Sequence, residues 1–161
     1  MFAKLHKNTR RVSKEFGQLL KNHHQTSMAI DGTLRRFNNG FIYISVYSSY
    51  LLHFDLNGTL KYNVNMVDRI ELPDIQLTGQ GSMSINSPMI YRKVNIIENN
   101  IYIFAAIQEE DGFNRYLDIY DLDTGSYKSS VRLEGMISDV EVDVDKYYMI
   151  DGEGNLRIYQ F

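Results

Sequence analysis

The feature that most constrains this chain is a hairpin pattern written three times. It first runs Phe41-Ile-Tyr-Ile-Ser-Val-Tyr47, a break, then Tyr50-Leu-Leu-His-Phe-Asp-Leu-Asn-Gly58. It returns as Ile101-Tyr-Ile-Phe-Ala-Ala-Ile107, a longer break, then Tyr116-Leu-Asp-Ile-Tyr-Asp-Leu-Asp-Thr-Gly125. The last copy is Lys146-Tyr-Tyr-Met-Ile150, a short break, then Asn155-Leu-Arg-Ile-Tyr159. Each copy is an apolar strand, a turn and an alternating strand, and the first two close on aromatic-Asp-Leu and a glycine. An isolated hairpin cannot bury its own apolar face, so a chain of hairpins must stack one on the next.

The bulk of the sequence agrees. A length of 161 residues is one domain, long enough to bury a core. Aromatics are twelve Tyr and eight Phe with no Trp, and such rings favour strands. Charge is uneven. Residues 1–24 hold Lys4, Lys7, Arg10, Arg11, Lys14 and Lys21 against Glu15, which leaves 11 of the 17 basic and 19 of the 20 acidic side chains for the rest. An acidic body repels phosphates, so no nucleic-acid partner is expected. The chain has no Cys, which excludes disulfides and Cys-based metal sites. No run approaches the roughly 20 apolar residues of a membrane span, and Met1-Phe-Ala-Lys-Leu-His-Lys7 has no signal-peptide core. The expectation is a cytoplasmic location for the chain as written, or the cell envelope if it is part of a longer exported protein.

Along the chain, residues 1–11 read as a basic, poorly ordered tail, and residues 12–161 as a single domain. Val12–Phe16, ahead of Gly17, reads either as a helical turn or as an outer strand. Residues 27–64 read as a first unit of four antiparallel strands, with Asn38-Asn39-Gly40 as a hairpin turn. Residues 84–133 read as a second unit, with Glu98-Asn99-Asn100 in the equivalent place. Residues 137–161 form a third unit with three strands and no fourth. Its first strand alternates Val140, Val142 and Val144 with Asp139, Glu141 and Asp143.

A repeated antiparallel unit of this size is the signature of a β-propeller. The fold expected is therefore all-β and propeller-like, with about three blades per chain. Phe54-Asp-Leu-Asn-Gly58 and Tyr120-Asp-Leu-Asp-Thr-Gly125 resemble the third strand and following turn of six-bladed β-propellers of the NHL-like and TolB-like kind. Phe16-Gly17 resembles the end of an outer strand entering the next blade. The likeness extends to envelope-associated bacterial propellers of unassigned activity. It covers about residues 12–161 and implies a closed ring of about twice this length. Either two copies form a two-fold ring, each donating residues 12–16 to the partner's last blade, or the chain is half of a longer protein.

Candidate chemistry is sparse. His23-His24 lacks a third ligand at metal spacing and reads as a solvated pair. His53 lies in a strand and is assigned no role. Asp139, Glu141, Asp143 and Asp145 form an acidic stripe, but a strand spreads its same-face carboxylates about 6–7 Å apart, too far for a calcium cage. The stripe reads as a solvated edge. Asp151-Gly-Glu-Gly-Asn155 reads as a hairpin turn, Gly79-Gln-Gly81 as a loop, and Asn57-Gly-Thr59 as an Asn-Gly turn that also matches a glycosylation sequon. Tyr43, Tyr47, Tyr50, Tyr91, Tyr102, Tyr116 and Tyr120 read as blade-to-blade packing before a stacking platform for a sugar or peptide. No catalytic, cofactor-binding or metal residue is assigned, and no cofactor is expected.

The function expected is a non-enzymatic binding or interaction module, taking a small ligand or a protein partner and prone to self-association by ring closure or edge pairing. The alternatives are a hydrolase or lactonase-like propeller enzyme with its site at the channel mouth, and a structural half-propeller that needs a second copy.

Overall fold

A computed structural model describes residues 4–5, 12–13, 31–70, 75–77, 83–85, 89–110 and 112–161. Among the described residues all regular structure is antiparallel β. Two short strands, β1 (Lys4–Leu5) and β2 (Val12–Ser13), pair with each other. The first blade is a four-stranded meander of β3 (Gly32–Phe37), β4 (Gly40–Ser45), β5 (Tyr50–Asp55) and β6 (Leu60–Asn65). A small hairpin follows, β7 (Ile75–Leu77) with β8 (Met83–Ile85). The second blade is β9 (Tyr91–Ile97), β10 (Asn100–Glu109), β11 (Gly112–Asp121) and β12 (Tyr127–Leu133). The third has three strands, β13 (Ile137–Val142), β14 (Lys146–Asp151) and β15 (Leu156–Gln160). The fold is all-β and propeller-like, and among the described residues its last blade lacks a fourth strand.

The turns follow from local chemistry. Phe37 pairs with Gly40 and Ile97 with Asn100, so Asn38-Asn39 and Glu98-Asn99 are two-residue hairpin loops. In the second of these Glu98 takes a positive φ, 52°, as tight hairpin turns favour. The aromatic-Asp-Leu signature is a turn device. Asp55 Oδ1 accepts the N–H groups of Asn57 and Thr59, both at 2.9 Å. Asp121 Oδ1 accepts those of Asp123 and Thr124 at 3.1 and 3.0 Å. Asp151 Oδ1 does the same for Glu153 and Asn155 at 3.0 and 2.9 Å. An Asp at the end of a strand thereby satisfies donors that the turn leaves unpaired.

Alternation along each strand gives each blade two apolar faces, and the blades stack through them. Ile42, Ile44 and Leu51 of the first blade pack against Tyr91, Val94, Ile101, Ile103 and Tyr120 of the second. Tyr102, Phe104 and Leu117, on the other face of the second blade, pack against Ile137, Val140, Val142 and Met149 of the third. Each fully buried Leu, Ile or Phe contributes about 1.5–3 kcal/mol to this stacking. The first strands of the three blades run side by side, with β9 touching both β3 and β13.

Three expectations change. Ser84–Ile90 reads from the sequence as the opening strand of the second blade, but Met83–Ile85 pairs with β7, and that blade's first strand begins at Tyr91. The first strand of the third blade stops at Val142 rather than Val144, because Asp143 Oδ1 accepts the Val144 N–H and starts the turn. A break in register between Ile137 and Asp139 further interrupts the even alternation read from the sequence. Of the expected closing strand 12–16, only Val12–Ser13 lie among the described residues.

Candidate functional site

Two regions concentrate polar and exposed groups, the joint between the first two blades and the open end of the third.

At the joint, the segment Met66–Ile70 is tied down from both blades. Tyr91, at the start of β9, donates its hydroxyl to Asp68 Oδ2 at 3.0 Å and shares a 3.0 Å hydrogen bond with Ser49 Oγ. Ser49 Oγ also accepts the Ile70 N–H. Tyr120 of β11 accepts the Val67 N–H on its hydroxyl at 3.0 Å. These phenols fasten the segment because their rings are held in the core between the blades while each buried hydroxyl reaches a polar group of the segment. Burial pushes the Asp68 carboxyl up, opposed by the Tyr91 hydrogen bond.

Asp118, on the same face of β11 as Tyr120, is 2% exposed. The Ser130 hydroxyl donates to it, and no cation pairs with it among the described residues. Burial pushes its pKa up to about 6, against the Ser130 bond and with a further contribution from Asp68. A buried carboxyl titrating near neutrality is a group that acid–base catalysts use. This one faces the packed joint between two blades.

At the open end, β15 is the edge of its sheet and all of its residues are exposed, Leu156 at 60% and Ile158 at 59%. Tyr159 lies directly across from Tyr147 and their rings stack at 5.3 Å, with Phe161 against Tyr147 at 5.2 Å and against Tyr102 at 5.7 Å. Beside them a groove of about 320 Å³, lined by Leu133, Tyr147, Met149 and Tyr159 among others, separates β12 from the third blade. A cleft of about 650 Å³ opens where the β10–β11 hairpin meets the β12–β13 connection, with Phe113, Arg115, Arg132, Glu134 and Met136 in its lining. Arg115 Nε donates to the Ile137 carbonyl at 3.3 Å, and Arg132 Nη2 to Asn114 Oδ1 at 2.7 Å. The cleft's chemistry is that of a polar recess with apolar walls.

The residues singled out in the sequence scatter. His23-His24 and Gly79-Gln-Gly81 lie outside the described residues. The His53 ring sits between Phe37 (5.3 Å) and Tyr62 (5.0 Å), and burial lowers its pKa, with Lys61 adding to the effect. The acidic stripe divides. Asp139 and Glu141 both meet Lys93 of β9, at 3.1 and 2.8 Å, while Asp143 and Asp145 fall in the turn. The pairing corrects the picture of a wholly solvated edge, because stacking brings β9 alongside β13. The buried Asn95 amide completes this contact when its nitrogen faces Glu141 (3.3 Å) and its oxygen the Val142 N–H (3.1 Å). Asp151-Gly-Glu-Gly-Asn155 and Asn57-Gly-Thr59 are turns. Tyr43, Tyr91, Tyr102 and Tyr120 are buried in the sheets and between them. Among the described residues no group of three His, Cys, Asp or Glu side chains is placed to hold a metal ion.

Asp68, Asp118 and the Tyr147–Tyr159 stack were not singled out from the sequence. The stack was readable in principle, since folding the chain about Asp151–Asn155 sets the two tyrosines opposite each other. The two aspartates carry no such signal, because neither sits in a motif.

No helix among the described residues is long and apolar enough to cross a membrane. No protein-family model matches the chain, and no curated protein matches it in sequence. Among solved structures it is similar to the computationally designed Ika4 protein, at 12% identity over 85% of this chain and 92% of that one, with a TM-score of 0.40. It is also similar to BamB from Moraxella catarrhalis, at 17% identity over 82% of this chain and 43% of that one, with a TM-score of 0.39. The fold stands on the sheets described above, not on either likeness.

Proposed function

We propose that this chain is a non-enzymatic interaction module of β-propeller type that works by self-association, two copies closing one two-fold ring of six blades. The observation that supports the reading is the open edge of the third blade. In the first and second blades the third strand is covered by a fourth, β6 and β12. In the third, no strand among the described residues covers the outer edge of β15, and exposed Leu156 and Ile158 lie along it. Such an edge is a template for one more strand. The 320 Å³ groove lined by Leu133, Met149 and Tyr159 offers room for that strand's side chains. Residues 12–16 of a second copy are the proposed donor. A small ligand, in this reading, takes the 650 Å³ cleft at the end of the second blade.

The test is the solution mass of the intact chain by light scattering on a sizing column. A particle of twice 18.8 kDa supports the ring, and a monomer at all concentrations overturns it. Removing residues 1–17 weakens association if the strand is donated. Undiminished association after that truncation sinks strand donation.

A further inference from the structure

We propose that the third blade of one copy packs face to face against the first blade of a second copy, with Asp139 and Glu141 of β13 receiving Arg36 from the second copy's β3. The inference rests on the self-associating reading above and names the surfaces that meet.

Strand register assigns the faces. Val140 and Val142 point into the core shared with the second blade. By alternation Asp139 and Glu141 start from the opposite face, with Ile150 and Tyr148 across from them on β14 and Leu156 and Ile158 next on β15, and their carboxylates turn over the free edge of β13 to Lys93. This face is open, as the exposure of Leu156 and Ile158 shows. In the first blade, Leu34 and Arg36 lie opposite Tyr43 and Phe41, on the face turned away from the second blade. Tyr43, Leu52 and Phe54 of that face are already buried, so the contact falls on β3, where Leu34 is 52% exposed and Arg36 is also exposed.

Charge selects the partner. Within the chain, Lys93 on the first strand of the second blade reaches both carboxylates of the first strand of the third. Two carboxylates share one ammonium, which leaves a negative charge at the half-exposed β13 edge that borders the open face. Arg36 occupies a first strand as well and makes no ion pair among the described residues. A second copy thus brings a basic, apolar-flanked strand to an acidic, apolar-flanked one, and such complementarity selects partner and register. Because the two faces differ, the contact runs head to tail, and with two copies it closes.

The experiment is a charge swap read by sedimentation equilibrium. Arg36→Glu weakens the dimer by about tenfold or more, since it sets like charges together. Glu141→Arg does the same, and the chain carrying both substitutions recovers most of the lost affinity. A dimer indifferent to Arg36→Glu, or a double variant no tighter than the single ones, overturns the face assignment and leaves self-association standing. An intact chain that is monomeric removes the self-associating reading itself, and this inference with it. Unchanged far-ultraviolet circular dichroism of the Arg36 variant separates lost association from lost fold.

Discussion

Tyr91 of the second blade donates its hydroxyl to Asp68, in the segment that leaves the first blade, at a distance of 3.0 Å. The ring belongs to the core between the two blades, and its buried hydroxyl meets the polar groups of Ser49 and Asp68. One side chain thus joins apolar stacking to the anchoring of a connection. Tyr91→Phe keeps the ring and removes the anchor, leaving Asp68 and Ser49 short of a partner. The expected loss is about 1–3 kcal/mol in urea unfolding with an unchanged m-value. A variant as stable as the parent would show that the Asp68 carboxylate finds its partner elsewhere.

Asp118 makes stability depend on pH in an unusual direction. Its folded-state pKa is raised from 3.8 to about 6, so the folded protein holds the proton more tightly than the unfolded chain. The stabilisation this gives is complete below about pH 4 and is lost as pH rises through 6. The span corresponds to at most roughly 3 kcal/mol, at about 1.4 kcal/mol per unit. Denaturation midpoints taken from pH 4 to 7.5 should fall for the parent and flatten for Asp118→Asn. Parallel curves for the two proteins would locate the titrating group elsewhere.

Gly125 and Gly154 separate backbone strain from collision. Both have positive φ, 72° and 87°. A Cβ on Gly154 meets open space, whereas one on Gly125 meets the Tyr62 ring at 2.8 Å and Val64 at 3.0 Å, across the joint between blades. Gly154→Ala should cost about 1 kcal/mol and Gly125→Ala distinctly more, about 2–4 kcal/mol. Equal losses in thermal unfolding would mean that the blades yield at this point.

Asp151 holds the last hairpin through turn N–H groups and through Arg157, 2.8 Å away. The Asn155 N–H bond, with the help of Asn155 and Arg157 side chains, holds its pKa down to about 2. Asp151→Ala should fray β15 first. Amide exchange of Tyr147 and Met149, whose N–H groups face β15, should accelerate while that of Ile103 in the second blade stays slow. Uniform acceleration would mean that the third blade does not open on its own.

The repeats, the hairpin turns and the three-stranded last blade were legible in the sequence because they rest on local chemistry. Period-two alternation defines strands, and Asn, Asp and Gly at fixed offsets define turns. The start of the second blade was misplaced for the same reason. Ser84–Ile90 is strand-like by composition, and only the pairing of Met83–Ile85 with Ile75–Leu77 shows that its first residues belong to a separate hairpin. The acidic stripe was legible as an alternation but not as a partner for Lys93, a residue 46 positions away from Asp139.

By itself, then, the sequence determined that this chain is a series of antiparallel hairpins with two-faced strands, turns closed by Asp55, Asp121 and Asp151, and a third unit short of a strand. Tertiary structure alone decided which face meets which neighbour. It put Tyr91 and Tyr120 inside one joint, buried Asp118 there with no cation paired to it among the described residues, drew Lys93 to Asp139 and Glu141, and left Leu156 and Ile158 uncovered. Alternation gives each strand two faces from local geometry, but what covers a face is set by stacking between residues far apart in the chain.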